Sequence, residues 1–234
     1  MKTSALAIIV GFCMITPSYG CATYNAAQIS QAIQNSPYAN AATKASSCTW
    51  GGAAVAESGG NTCASNGNNF GVLQLTSSNL PANVSSGQYL NEPLQQQVNT
   101  WLQNAGPSGQ GSSFGTISNA ANSGSSIGGM QMTQGMAAAC VQFGGGICSR
   151  DLAAIQSTGQ CPSAGNGGVR ATNATLRNGT ANLDGNNQSI CSWGNVINQK
   201  IAASGCTNSG SGCNPSTGNS PATPLTTSSS PTLV

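Results

Sequence analysis

Histidine is absent from this chain and charge is scarce. Its 234 residues include six Lys and Arg and four Asp and Glu, together 4% of the total, against the usual quarter. The net charge of +2 falls to about +1 when Lys2 is counted with a leader, so no basic footprint remains for nucleic acid or anionic lipid, and a nucleic-acid partner is not expected. With no histidine and no Cys-x-x-Cys pair, the ten cysteines lack the spacing of a zinc site, and no metal or other cofactor is expected. Beyond the first fifteen residues no run is long and apolar enough to predict a membrane span. No repeat of fixed period is present. Ser, Asn, Gln, Thr, Gly and Ala fill the surface role of Lys and Glu, giving a surface whose charge changes little with pH and that suits variable or low pH.

What is present begins with an address. Lys2, the apolar run from Ala5 to Ile15 and Pro17-Ser18-Tyr19-Gly20 before Cys21 read as an export signal over residues 1–20. The expected location is periplasmic or secreted. Cys13 lies in the leader and leaves nine cysteines, an odd number. Either Cys21 carries a lipid, leaving eight cysteines for four disulfides and a membrane attachment, or it is unpaired or intermolecular. The residues before it lack the leucine usual in a lipoprotein signal. The length suits one domain over 21–206. Residues 207–234 hold Ser, Thr, Gly, Pro and Asn with little to bury, and a disordered tail is expected there.

The periodic segments are helical, so the fold class is mainly α with long polar loops. Ala26, Ile29, Ala32 and Ile33 mark a helix over 25–34, and alanine propensity supports a second over 41–57 that Gly59-Gly60 stops. Asn91, Pro93, Leu94, Val98, Trp101 and Leu102 predict a third, ended by Gly106-Pro107. Met132, Met136, Cys140 and Phe143 form another stripe, broken by Gly144-Gly145-Gly146. Ser149 is expected to cap a short helix with Leu152 and Ile155, and Trp193, Val196, Ile197 and Ile201 mark the last. Segments 106–113 and 164–188 read as loops.

In a chain with four acids, the placement of Glu57 stands out. It follows Ala53-Ala54-Val55-Ala56 at a helix C-terminus, where the dipole and an apolar neighbourhood both disfavour the charged form. Such a group is either a solvated helix end or a proton donor of the kind that cleaves glycosides. The other acids have structural readings. Glu92 and Asp151 sit in expected first helical turns, where the dipole favours negative charge, and Asp184 precedes Gly185 in a turn.

Glu57-Ser58-Gly59-Gly60-Asn61, then Gly71-Val72-Leu73-Gln74-Leu75-Thr76, then Ser77-Ser78-Asn79-Leu80 and Tyr89-Leu90 before a helix, resemble the lytic transglycosylase branch of the lysozyme-like superfamily. The motifs matched are Glu-Ser-Gly at a helix end and a Gly-Leu-Met-Gln type segment opening on the same cleft. The resemblance covers Ala53 to Leu102. Val72-Leu73 replaces the usual Leu-Met, and the family's Ala-Tyr-Asn motif has only Asn119-Ala120-Ala121-Asn122 as its nearest string. The resemblance implies a lysozyme-like fold, with Glu57 as the single acid/base and Ser58 beside it holding that side chain or the sugar. It makes Gln74 a cleft contact, with Gly71 admitting the ligand to the backbone. The implied partner is the peptidoglycan strand. The implied reaction is cleavage between N-acetylmuramic acid and N-acetylglucosamine with a 1,6-anhydro product, in the service of a secretion or conjugation apparatus. A catalytically silent wall-binding protein and a hydrolytic lysozyme are the alternatives.

Three local disulfides suggest themselves: Cys48 with Cys63 around Glu57, Cys140 with Cys148, and Cys206 with Cys213. Eight cysteines allow 105 pairings, so spacing alone does not choose. Tyr89, Phe70 and Phe114 are candidates to line a cleft. The tryptophans and the methionine stripe read as core.

Overall fold

A computed structural model describes residues 20–107, 111–162, 183 and 187–207. Residues 1–19 of the leader, most of the 164–188 segment with Asp184, Cys213 and nearly all of the expected tail lie outside the described residues. What is described is mainly helical, as the periodicity predicts. Eight α-helices come in the order α1 (Ala26–Asn35), α2 (Ala41–Ala45), α3 (Ser47–Ser58), α4 (Ser86–Leu90), α5 (Leu94–Asn104), α6 (Gly111–Asn122), α7 (Gln134–Thr158) and α8 (Ile190–Ala203). Two small antiparallel hairpins interrupt them: β1 (Asn69–Phe70) with β2 (Leu75–Thr76), and β3 (Ser126–Ile127) with β4 (Met130–Gln131).

Helix α3 is the hub. Every residue from Ser47 to Ala54 is buried, and α3 packs against α1, α7 and α8. Its small residues make that possible. A Cβ on Gly51 would sit 2.2 Å from the Ala26 carbonyl oxygen of α1, and one on Gly52 would sit 2.5 Å from Ile201 Cγ1 of α8. The approach of α1 therefore requires glycine at 51, where backbone would be struck, while at 52 the Ile201 side chain would have to shift. The core around this hub joins Ile29 and Ile33 of α1, Val98 and Trp101 of α5, Met136 and Ala138 of α7, and Ile197 of α8.

Several sequence expectations need correction. The helix expected over 41–57 is two helices, because Ser46 takes a non-helical φ of −103° and ψ of 18°. Its hydroxyl donates to the Ala42 carbonyl and accepts from Trp50 Nε1. Helix α6 begins at Gly111, within the segment read as a loop. The break expected after Phe143 is there: Gly144, with φ 78° and ψ 162°, is non-helical and divides α7 into two helical stretches. The second stretch starts earlier than expected: helical backbone resumes directly after Gly144, so Ser149 lies inside that stretch and bonds the Gly145 carbonyl rather than capping it.

Asp151 is likewise no first-turn residue. It lies within α7, fully buried, and its Oδ2 accepts from the Ile190 backbone N–H at 2.9 Å, capping α8 from a neighbouring helix. Its Oδ1 is buried without a hydrogen-bond partner. Burial pushes its carboxyl up to about 7, opposed by the Ile190 hydrogen bond and by Arg150. Glu92 precedes α5, whose N-cap is Pro93, and burial raises its carboxyl from the ordinary range while a Thr100 hydrogen bond partly offsets this.

Among the described residues four cysteine pairs lie at disulfide distance. Cα separations are 5.2 Å for Cys21–Cys63, 5.6 Å for Cys48–Cys206, 4.8 Å for Cys140–Cys148 and 6.2 Å for Cys161–Cys191. Cys140–Cys148 matches expectation and bridges the Gly144 kink. The pairing of Cys48 with Cys63 is overturned by geometry. Cys48 opens α3 and Cys63 lies beyond its far end, so ten residues of helix, about 15 Å, separate the regions they occupy. The Cys21 sulfur is engaged by Cys63, so neither the lipidated nor the unpaired alternative for Cys21 holds. With Cys206 on Cys48, the Cys206–Cys213 pairing falls too. No helix among the described residues is long and apolar enough to cross a membrane.

Candidate active site

The helix that carries Glu57 ends where glycine lets it. Gly59, at φ 66°, closes α3 in the left-handed conformation, its N–H bonding the Val55 carbonyl. Gly60 follows at φ 76°, with the Tyr24 carbonyl oxygen 1.9 Å from where a Cβ would stand. The N-terminal segment runs antiparallel to this turn. Tyr24 N–H bonds Gly60 O at 3.0 Å, Thr62 N–H bonds Ala22 O at 3.0 Å, and the Cys21–Cys63 pair closes the ladder. Glu57 thus sits one residue before a tightly held chain reversal.

Gln74 arrives from the β1–β2 hairpin, whose register pairs Asn69 with Thr76 and Phe70 with Leu75. Its backbone is held at φ 50°, a left-handed conformation uncommon for a side-chain-bearing residue. The amide Nε2 donates to the Gly71 carbonyl at 2.9 Å, folding the side chain over its own loop.

What holds this loop in place is Gln97, a fully buried residue of α5 to which the sequence reading assigned no role. Its Oε1 accepts from the Val72 N–H at 2.9 Å, and its Nε2 donates to the Thr62 carbonyl at 2.9 Å and the Tyr89 carbonyl at 3.1 Å. One amide therefore ties the hairpin loop, the segment after α3 and the end of α4 to α5. A buried polar side chain on an otherwise apolar helix face was the available signal.

Ser58 and Gly71 serve this scaffold. The Ser58 hydroxyl donates to the Ala54 and Val72 carbonyls, both at 2.8 Å, and accepts from the Gly60 N–H at 3.0 Å, joining helix end to hairpin loop. Gly71, at φ 74°, faces inward, since a Cβ there would sit 2.5 Å from Gln97 Oε1 and 2.7 Å from Tyr89 Cε1. Neither lines the cleft, so the reading of Gly71 as a backbone approach for ligand is replaced by a packing requirement.

The cleft itself has a volume of about 440 Å³. Glu57, half-buried, contributes to its wall with Ala53, Ala54 and Trp50 of α3. Gln74, Asn69, Thr76 and Asn79 come from the hairpin and the turn after it, and Trp101 to Gly106 from the end of α5, with Val141 and Gln142 from α7. Apart from Glu57, its polar lining is neutral amide and hydroxyl. Glu92 and Asp151 do not line it, so Glu57 is its single carboxylate among the described residues.

The aromatic expectations fare differently. Trp50 and Trp101, read as core, are nearly buried yet contribute to the lining, with ring centroids 5.7 Å apart. Tyr89 is wholly buried, and Phe114 packs against Trp50, with centroids 6.4 Å apart, outside the cleft lining. Phe70 is half-buried and outside the cleft lining. The Asn119–Asn122 string closes α6 and does not reach this cleft. Among the described residues no three metal-ligating side chains come together. The arrangement offers one proton-transferring group in a neutral, hydrogen-bonding groove. Comparison with family models, curated proteins and solved structures finds no match to this chain.

Proposed function

We propose that the chain is an exported, lysozyme-like peptidoglycan lytic transglycosylase, acting in the periplasm or outside the cell. The observation that carries this reading is the convergence of Glu57 and Gln74, from a helix end and a hairpin loop, on one neutral polar cleft. N-acetylated sugars are uncharged over most of their surface and present hydroxyls and amides. A lining of Asn, Gln and Thr supplies donors and acceptors in kind, with Trp50 and Trp101 as apolar wall.

Hydrolysis with retention or inversion employs two carboxylates flanking the scissile bond. A cleft with one carboxylate favours a route in which Glu57 works twice. Its proton passes to the glycosidic oxygen between N-acetylmuramic acid and N-acetylglucosamine as that C–O bond breaks. The substrate's 2-acetamido group stabilises the positive charge developing at the muramoyl C1. The C6 hydroxyl then closes on C1, its proton returns to Glu57, and a 1,6-anhydro sugar leaves without consumption of water. General acid–base work of this kind contributes roughly 10²–10⁴-fold in rate. Local opening of the wall for a secretion or conjugation apparatus is the biological role this chemistry serves.

Digestion of purified sacculi with mass analysis of the products tests the reading. Anhydromuropeptides are expected, and Glu57→Gln is expected to lose at least a hundredfold in release with unfolding unchanged. Reducing ends would assign a hydrolase, and no release would assign a silent wall-binding protein. Full activity of Glu57→Gln would remove Glu57 from the chemistry.

A further inference from the structure

A second recess, of about 170 Å³, lies at the opposite end of α3 from Glu57. Trp50 lines both it and the main cleft, and the consecutive residues Gly106 and Pro107 line one each. Trp50, Ala54 and Glu57 recur at helical spacing and so share one face of α3. Seven residues at 1.5 Å each place Trp50 about 10 Å from Glu57 along the axis, with the recess beyond it. The recess combines apolar surface, mainly the partly exposed Phe114 with the small exposed part of the nearly buried Trp50, with short neutral polar groups that include Asn40, Thr43 and Ser118. Among the described residues no charged side chain contributes to it. That composition repeats the chemistry of the main cleft at a distance longer than one sugar ring.

We propose that this recess is a distal subsite for a sugar of the same glycan strand, so that the protein engages its substrate on both sides of Trp50. The inference rests on the transglycosylase reading for the identity of the strand. It makes the recess the determinant of chain-length preference, because a short oligomer held at Glu57 does not reach it.

The test uses the full mature chain in a Glu57→Gln background, so that no ligand is consumed. Binding of β-1,4-linked N-acetylglucosamine dimer and hexamer is measured by calorimetry. Ser118→Trp fills the recess from α6, and Phe114→Leu keeps apolar bulk while removing the ring. Each is expected to weaken hexamer binding by about tenfold, the scale of one aromatic contact, with dimer binding unchanged. Hexamer affinity equal to that of the background in both variants would overturn the subsite while leaving the cleft reading intact. Failure of the background protein to bind either oligomer would overturn both.

Discussion

Replacing Asp151 with asparagine should remove a pH dependence of stability that runs opposite to the usual one for a carboxylate. Asp151 is fully buried in α7, receives one hydrogen bond from Ile190 N–H and has Oδ1 without a partner. Burial raises its carboxyl from 3.8 to about 7. The folded state therefore holds a proton between those values that the unfolded chain has released. Stability from this group is complete below about pH 4 and is lost as pH rises through 7. At 1.36 kcal/mol per unit, the swing is on the order of 4 kcal/mol. That is a large share of the 5–15 kcal/mol typical of a domain. The N-terminal end of α8 attracts the carboxylate and opposes this swing, so the figure is an upper bound.

Urea unfolding at intervals from pH 4 to pH 8, with disulfides intact, measures it. Glu92 is also raised by burial and contributes a slope of the same sign, so the informative quantity is wild type minus Asp151→Asn. The asparagine keeps an acceptor for Ile190 and buries an amide, lowering stability by about 1–3 kcal/mol without titrating. A difference that does not change with pH, or wild-type stability that rises from pH 4 to pH 7, would refute the reasoning.

Other expectations follow from the scaffold. Gln97→Met keeps the volume but leaves the Val72 N–H and the Thr62 carbonyl unpaired, so chemical denaturation should show a loss of about 2–5 kcal/mol. Gly51→Ala drives a Cβ into the Ala26 backbone and should cost about 1–3 kcal/mol or more by thermal unfolding. Gly52→Ala meets mainly the movable Ile201 side chain and should cost less. Non-reducing peptide mapping should return Cys21 linked to Cys63 and Cys48 linked to Cys206; a Cys48–Cys63 peptide would contradict the helix geometry. Replacing both Cys48 and Cys206 with serine opens a span of 158 residues and should lower stability by about 5 kcal/mol on the chain-entropy account.

Helix periodicity was legible where a helix buries one face, because 3.6-residue spacing records that directly, as in Ile29 and Ile33 of α1 or Val98 and Trp101 of α5. The Glu57 turn was legible too, since a helix stop at Gly59 is a local, left-handed event. Helix α6 was not, because Gly111 to Asn122 is small and polar with one buried residue, Ile117, and leaves little periodic trace. The break at Ser46 escaped for a related reason: alanines continue a helical pattern on both sides of a residue whose hydroxyl is tied to Trp50.

The sequence by itself determined a mainly helical chain with an acid at a helix end, because short-range spacing, capping and glycine conformations are written within a few residues of one another. Only the tertiary structure decided which cysteines meet, that Gly71 faces Gln97 rather than the cleft, and that Asp151 caps a helix 39 residues away. Those outcomes depend on how helices cross in space, and no short-range pattern encodes the distance between two residues brought together by packing.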